Sequence, residues 1–282
     1  MYVDSFEFLL FVINYISFDN YLSLFIEYLQ SNTFSAFFSG QKLITLERVS
    51  STNDYLKEEL SKSTPFTEGT VIMAVDQVRG RGQSGNSWVS EPGKNLTFSL
   101  LLKPDFLKPT NQFNINIVIC VSIFEVLFPL FNNQIKIKWP NDIYVGDKKL
   151  GGILIENILQ GSEWKESIIG IGINVNQENF DGVQNACSIK QLLHHEYTLQ
   201  DLLYDLCGSI ERNYLQLQKR GILNLKSLFI KNLYGLNQVR KYKLEGISVE
   251  GKIINVDDDG QLIVDFNGHS AKFNFKEIEF VF

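Results

Sequence analysis

Residues 135–156, IKIKWPNDIYVGDKKLGGILIE, leave this chain few folds to choose from. Ile135, Ile137 and Trp139 point one way and Lys136 and Lys138 the other, the two-residue period of a strand with one buried face. Pro140 has no N–H to offer a sheet partner, so the strand stops there on a rigid bend. Ile143, Tyr144 and Val145, the turn Gly146-Asp147-Lys148 and the apolar run 150–156 then read as a hairpin. A lone hairpin is marginal in water. These residues therefore demand a larger sheet and a covering layer.

The rest of the chain supplies both. Strands are expected at 43–46, 70–76, 95–103 and 168–175, and the apolar segment 111–131 reads as a buried helix despite its β-branched residues. Ser50-Ser51-Thr52-Asn53 precedes a helix over 54–62, and Thr198 is expected to cap a helix that reaches Arg220 and ends at Gly221. From Asn237 the texture changes. Short strands over 239–244, 247–256, 260–266, 270–275 and 277–281 alternate with polar turns, which suits a small β-barrel. The acidic turn Asp257-Asp258-Asp259-Gly260 lacks the further ligands of a calcium loop and reads as a solvated β-turn. The expected organisation is an apolar extension over 1–40, an α+β domain over 41–234 and a small β domain over 235–282, with strands and segregated helices in a mixed layer.

Charge and cysteines narrow the function. A formal net charge of -6 argues against a general nucleic-acid binder. Cys120, Cys187 and Cys207 are far apart and form no C-x-x-C pair, so they read as buried free thiols in a reducing compartment. His194 and His195 are adjacent and His269 is distant, which argues against a metal centre. Residues 1–40 contain no Lys or Arg, and phosphate contacts need them, so no DNA binding is expected there. Asp4 and Glu7 argue against a secretory signal, and Asn14, Asp19 and Asn20 break the apolar runs before a membrane-spanning length. Short amphipathic helices, a dimer contact, an upstream stretch from a misassigned start codon and membrane association all remain open for this segment.

Three stretches could carry chemistry. GRGQSGNSW at 80–88 has three glycines that let the backbone approach a ligand, one guanidinium in Arg81 and a flat apolar face in Trp88. Freed N–H groups in such a loop can cradle an anion; a plain turn is the competing reading. Its context fits neither a P-loop nor a dinucleotide fingerprint. KWPNDIYVGDKKLGG at 138–152 brings Asn141 and Asp142 close to Lys149 across a hairpin, a set that could hold Mg²⁺ and a phosphoryl or acyl oxygen; a polar hairpin with solvated lysines is the alternative. GIGINVN at 170–176 puts Asn174 in an apolar strand, where it needs a partner. SSTN at 50–53 is by itself a helix cap.

Taken together and in this order, SSTN, DQxxGRG at 76–82, NSW at 86–88, KWPND at 138–142, KKLGGILIE at 148–156 and GIGINVN closely resemble the biotin–protein ligases, over residues 41–282. The resemblance implies a class II aminoacyl-tRNA synthetase-like catalytic domain, a mixed sheet with helices on one side, followed by an SH3-like domain. It implies two steps: biotin and Mg·ATP give biotinyl-5′-AMP, and a lysine of a biotin carboxyl carrier domain of a carboxylase then takes the biotin. By the same resemblance the ureido ring is bound by Ser51, Thr52, Asn53 and Gln77, with Gly80, Arg81, Gly82, Gln83, Lys149 and Gly152 completing the biotin site. Arg81, Trp88, Asn141, Asp142, Lys149 and Asn174 are implied for ATP and the adenylate. Lys149, Arg81 and Asp142 are implied as catalytic, and Asp142 as a Mg²⁺ ligand. Many members carry more arginines in the glycine loop, where this chain has Gln83, Ser84 and Asn86. That departure keeps a non-enzymatic biotin or biotinyl-AMP sensor open, and the shared fold keeps a lipoate or octanoyl transfer enzyme open. A cytoplasmic location and a weak or ligand-induced homodimer are also expected, with no role for DNA or a membrane.

Overall fold

The computed structural model describes residues 42–62, 66–161, 163–180, 182–183 and 185–281. The expectations for residues 1–40 lie outside the described residues. β1 (Leu43–Val49) and β2 (Val71–Gln77) run parallel, joined by the crossover helix α1 (Thr52–Ser61). Parallel neighbours require such a crossover. Ser51 stands at its N-cap and accepts from the Asp54 N–H. Antiparallel strands continue the sheet: β5 (Leu96–Leu102), β9 (Glu163–Ile173), β8 (Lys148–Gln160), β7 (Asp142–Val145) and β6 (Ile135–Lys138), in the order β1-β2-β5-β9-β8-β7-β6. β3 (Gly80–Arg81) and β4 (Ser87–Trp88) form a separate short ribbon from the glycine loop.

All seven residues of β5 are buried, so this strand is covered on both faces. Leu96, Phe98, Leu100 and Leu102 pack into the main core with α2 (Phe113–Phe131) and α4 (Leu199–Arg220); Leu101 packs the other way, with Leu56 of α1, Ile72 and Ile168. Helices on one side therefore describes α2, α4 and α5 (Leu223–Lys231), while α1 covers the opposite face. The short α3 (Ile189–Leu193) carries a capping box between Ser188 and Gln191. Thr198 does occupy the N-cap of α4, but its side chain makes no cap bond; Gly221 ends the helix at φ 75°. β9 begins five residues earlier than expected, because its outer half pairs with the polar end of β8 where no apolar alternation announces it. The stretch Pro109–Gln134 is long and apolar enough to cross a membrane by composition, and residues 115, 117–121, 123 and 124 in it are buried in the main core; Ser122 is buried too and accepts from Asn213 Nδ2.

The C-terminal segment forms an antiparallel sheet of β10 (Val239–Leu244), β11 (Ile247–Val256), β12 (Leu262–Phe266), β13 (His269–Phe273) and β14 (Glu279–Phe280), in the order β13-β12-β11-β10-β14. The turn after β11 docks it onto the larger sheet. Trp139 Nε1 donates to the Gly260 carbonyl at 2.9 Å, and a Cβ on Gly260 would lie 2.4 Å from the Phe113 ring. Gly260 also sits at φ +88°, where a side chain is strained. Gly260→Ala should cost about 2–3 kcal/mol, seen as a lower urea midpoint with an unchanged slope.

Candidate active site

One register row crosses the sheet and forms a cleft floor. Lys138 pairs with Asp142, Asp142 with Gly152, Gly152 with Gly172 and Gly172 with Thr97. Directly opposed residues share a face. The row thus presents two charges, two vacant positions and a hydroxyl to the same side, and all five residues line the cleft. Larger groups use the vacant positions. The Trp88 ring lies on Gly172, where a Cβ would come within 2.4 Å of Cε2. Lys149 passes over Gly152, with its Nζ 3.3 Å from where a Cβ would be. Its ammonium is 2.6 Å from Asp142 Oδ1 and 5.9 Å from the Trp88 ring centroid.

The β5 end of the cleft is polar and hydrogen-bonded. Gln77 Oε1 accepts from the Thr52 N–H at 2.9 Å and from its hydroxyl at 3.2 Å. The Ser99 hydroxyl donates to Asn53 Oδ1 at 2.6 Å and lies 2.7 Å from Thr52 Oγ1. Ser51, Thr52 and Asn53 are all buried. The helix start thus serves twice: Ser51 caps it, and the two residues after it face the cleft. Trp88 Nε1 and Gln83 Oε1 line the same cleft, are buried and find no hydrogen-bond partner among the described residues. Such orphaned groups are costly unless a ligand or water meets them.

Arg81 is clasped by two carboxylates. Its Nη2 is 2.6 Å from Asp54 Oδ1 and 2.6 Å from Glu156 Oε2, and Asn53 Nδ2 donates to the same Glu156 oxygen at 2.9 Å. Burial opposes ionisation of Glu156, yet the bonds from Arg81 and Asn53 hold its carboxyl below the usual range. A carboxyl depressed on folding contributes stability above its unfolded pKa, and that contribution is lost as pH falls through the folded one. Glu156→Gln should cost about 1–2 kcal/mol at pH 7 and narrow its gap to wild type on acidification to about pH 3, as measured by urea unfolding at both pH values.

Against this geometry the comparisons are specific. The model of the biotin/lipoate A/B protein ligase family matches residues 45–174. The bifunctional ligase/repressor BirA of Bacillus subtilis is 30% identical over 245 residues, 85% of this chain and 74% of that protein. Biotin–protein ligase 2 of Arabidopsis thaliana is 28% identical over 218 residues, covering 74% of this chain and 62% of that protein. The chain belongs to the biotin–protein ligase family. Among solved structures, the biotin protein ligase from Aquifex aeolicus in complex with biotin and ATP superposes with a TM-score of 0.71 at 27% identity, over 84% of this chain and 97% of that one.

Most residues implied by the ligase resemblance meet in the one cleft: Ser51, Thr52, Asn53, Gln77, Arg81, Gly82, Gln83, Trp88, Asn141, Asp142, Lys149 and Gly152. Two do not line it. Gly80 belongs to the ribbon itself, paired with Trp88, and a Cβ there would lie 2.4 Å from the Trp88 carbonyl oxygen. Asn174, implied for the nucleotide, is buried beside the cleft; its Nδ2 donates to the Cys187 carbonyl at 3.0 Å and its Oδ1 has no partner among the described residues. It lies just beyond the end of β9. Sequence reading passed over Gly170 and Gly172, although the alternation in GIGIN was a signal for them. It also passed over Lys138, Thr97, Ser99 and Glu156, which only strand register brings to the site, and Phe275 of the C-terminal segment. The three thiols are free and buried, and burial pushes Cys187 up to about 11.

Proposed function

We propose that the protein is an ATP-dependent biotin–protein ligase that forms biotinyl-5′-AMP and passes the biotinyl group to a lysine of a biotin carboxyl carrier domain. The observation that carries this reading is the Lys149–Asp142 pair, held at 2.6 Å over the vacant Gly152 position between a polar end and an aromatic face. In the first step a carboxylate oxygen of biotin bonds to the α-phosphorus of ATP. The bond from that phosphorus to the bridging oxygen breaks, and pyrophosphate leaves with the electron pair. Two anions must meet, so the site needs preorganised cations. Lys149 supplies one, oriented by Asp142. Arg81 supplies another, on a short ribbon that can carry it from Asp54 and Glu156 to the phosphate. The Thr52, Asn53 and Gln77 amides and hydroxyls suit a neutral ureido ring, and the Trp88 face suits a planar base. In the second step the neutral acceptor amine attacks the acyl carbon, AMP leaves with the electron pair and the amine gives up a proton. Most of the rate then comes from positioning and charge stabilisation.

Among the described residues no cluster of three or more His, Cys, Asp and Glu side chains is built to hold a metal. Mg²⁺ would come with the triphosphate and supply charge neutralisation, and Asp142 would be the residue to hold it. Free buried thiols suit a reducing compartment, and we place the reaction in the cytoplasm. The test is exchange of labelled pyrophosphate into ATP, dependent on biotin and not on lipoate. Exchange with lipoate alone would redirect the substrate. No exchange, with biotin still bound in calorimetry, would leave a sensor.

A further inference from the structure

Lys138 lies on the face of its strand opposite buried Trp139, as the alternation indicated. That face lines the cleft, and Lys138 is paired there directly with Asp142. Its ammonium lies 4.5 Å from the Phe280 ring centroid and 5.5 Å from that of Tyr144, so rings from both sheets frame it. Burial pulls its pKa below the usual lysine range, Asp142 pushes it back up and Lys149 lowers it. A partly dehydrated ammonium gains more from an arriving anion than a solvated one does.

Position along the row decides what that anion is. From β5 to β6 the cleft presents the polar end, Trp88 over Gly172, Lys149 over Gly152, then Asp142 and Lys138. Displacement at phosphorus is in line, so the leaving group departs on the side away from the attacking carboxylate. With biotin at the polar end and transfer at Lys149, pyrophosphate departs toward β6. The basic side chains lining the cleft are Arg81, Lys138 and Lys149, and of the latter two Lys138 lies nearer the β6 end.

We propose that Lys138 is a further catalytic cation, whose ammonium binds the β- and γ-phosphates of ATP and stabilises pyrophosphate as it leaves. This rests on the ligase reading. In the balanced step, the new oxygen–phosphorus bond forms at the α-phosphate, and the electron pair of the broken bond goes to pyrophosphate facing Lys138.

The experiment is biotin-dependent pyrophosphate exchange with wild type, Lys138→Met and Lys138→Arg, alongside biotin calorimetry. Lys138→Met should raise the KM for both pyrophosphate and ATP about tenfold or more, while biotin affinity stays within about twofold. Lys138→Arg should recover most of the loss, since it restores the charge. Unchanged KM values for both phosphate substrates in Lys138→Met overturn the proposal, as does an equal loss of biotin affinity, which marks a packing role. If the Met variant does not fold, Lys138→Gln is read by the same criteria. Failure of wild type to exchange removes the ligase reading and this proposal with it; normal wild-type exchange with an unaffected variant removes this proposal alone.

Discussion

Lys149→Ala is expected to lower biotin-dependent pyrophosphate exchange by at least about 100-fold, equivalent to about 2.7 kcal/mol of barrier. The effect has two sources. The ammonium that would meet the developing charge is gone, and Asp142, held at 2.6 Å in the native pair, is left as a carboxylate facing an incoming anion. The second source can be separated. Asp142→Asn in the Lys149→Ala background removes that repulsion and should restore part of the loss, so the two substitutions are non-additive. The fold should hardly notice, because Lys149 is about a third exposed and such pairs contribute up to about 1 kcal/mol. Lys149→Arg should rescue poorly, since the planar fork does not reproduce a point charge above Gly152. Exchange within about threefold of wild type in Lys149→Ala would remove this lysine from the chemistry.

Gly172→Ala should raise the KM for ATP at least about tenfold and depress kcat/KM by up to about 100-fold, through one methyl group that touches no substrate. Its Cβ would lie 2.4 Å from Trp88 Cε2, 2.6 Å from Cζ2 and 2.8 Å from Nε1. A ring edge cannot yield as a flexible chain end does. The indole must swing away and take the Arg81 ribbon with it. Overpacking of this kind costs about 1–3 kcal/mol, and here the cost falls on ligand binding because Trp88 is only partly buried. Gly208→Ala is the control: nothing lies within 4 Å of its Cβ on the exposed face of α4, so it should leave KM unchanged. A Gly172→Ala variant with wild-type ATP kinetics would mean that the Trp88 face does not serve the nucleotide.

The hairpin at 142–156, the core helix 113–131 and the C-terminal strands were legible because each carries a period that burial imposes locally. SSTN by itself reads as a helix cap, and it, KWPND and KKLGG were legible as a site through their joint resemblance to the biotin–protein ligases. Asp142 and Lys149 are seven positions apart, so one hairpin is enough to bring them together. The extra length of β9 was hidden, because a strand pairing over polar residues has no apolar signature. The need of Asn174 for partners is met in part: its Nδ2 donates to the Cys187 carbonyl, while its Oδ1 has no partner among the described residues.

What the chain alone determined is thus the inventory: the strands, the main helices, the cations Arg81 and Lys149, and a polar helix cap. Strand register and the packing of distant segments decided the rest. Register put Lys138, Asp142, Gly152, Gly172 and Thr97 in one row although they span residues 97–172. Packing placed Arg81 between Asp54 and Glu156, which lies 75 residues further along the chain. It also laid Phe280 over Lys138. The physical reason is that periodicity records which face of an element is buried, whereas the identity of the residue opposite depends on how separate elements align, and no local pattern encodes that alignment.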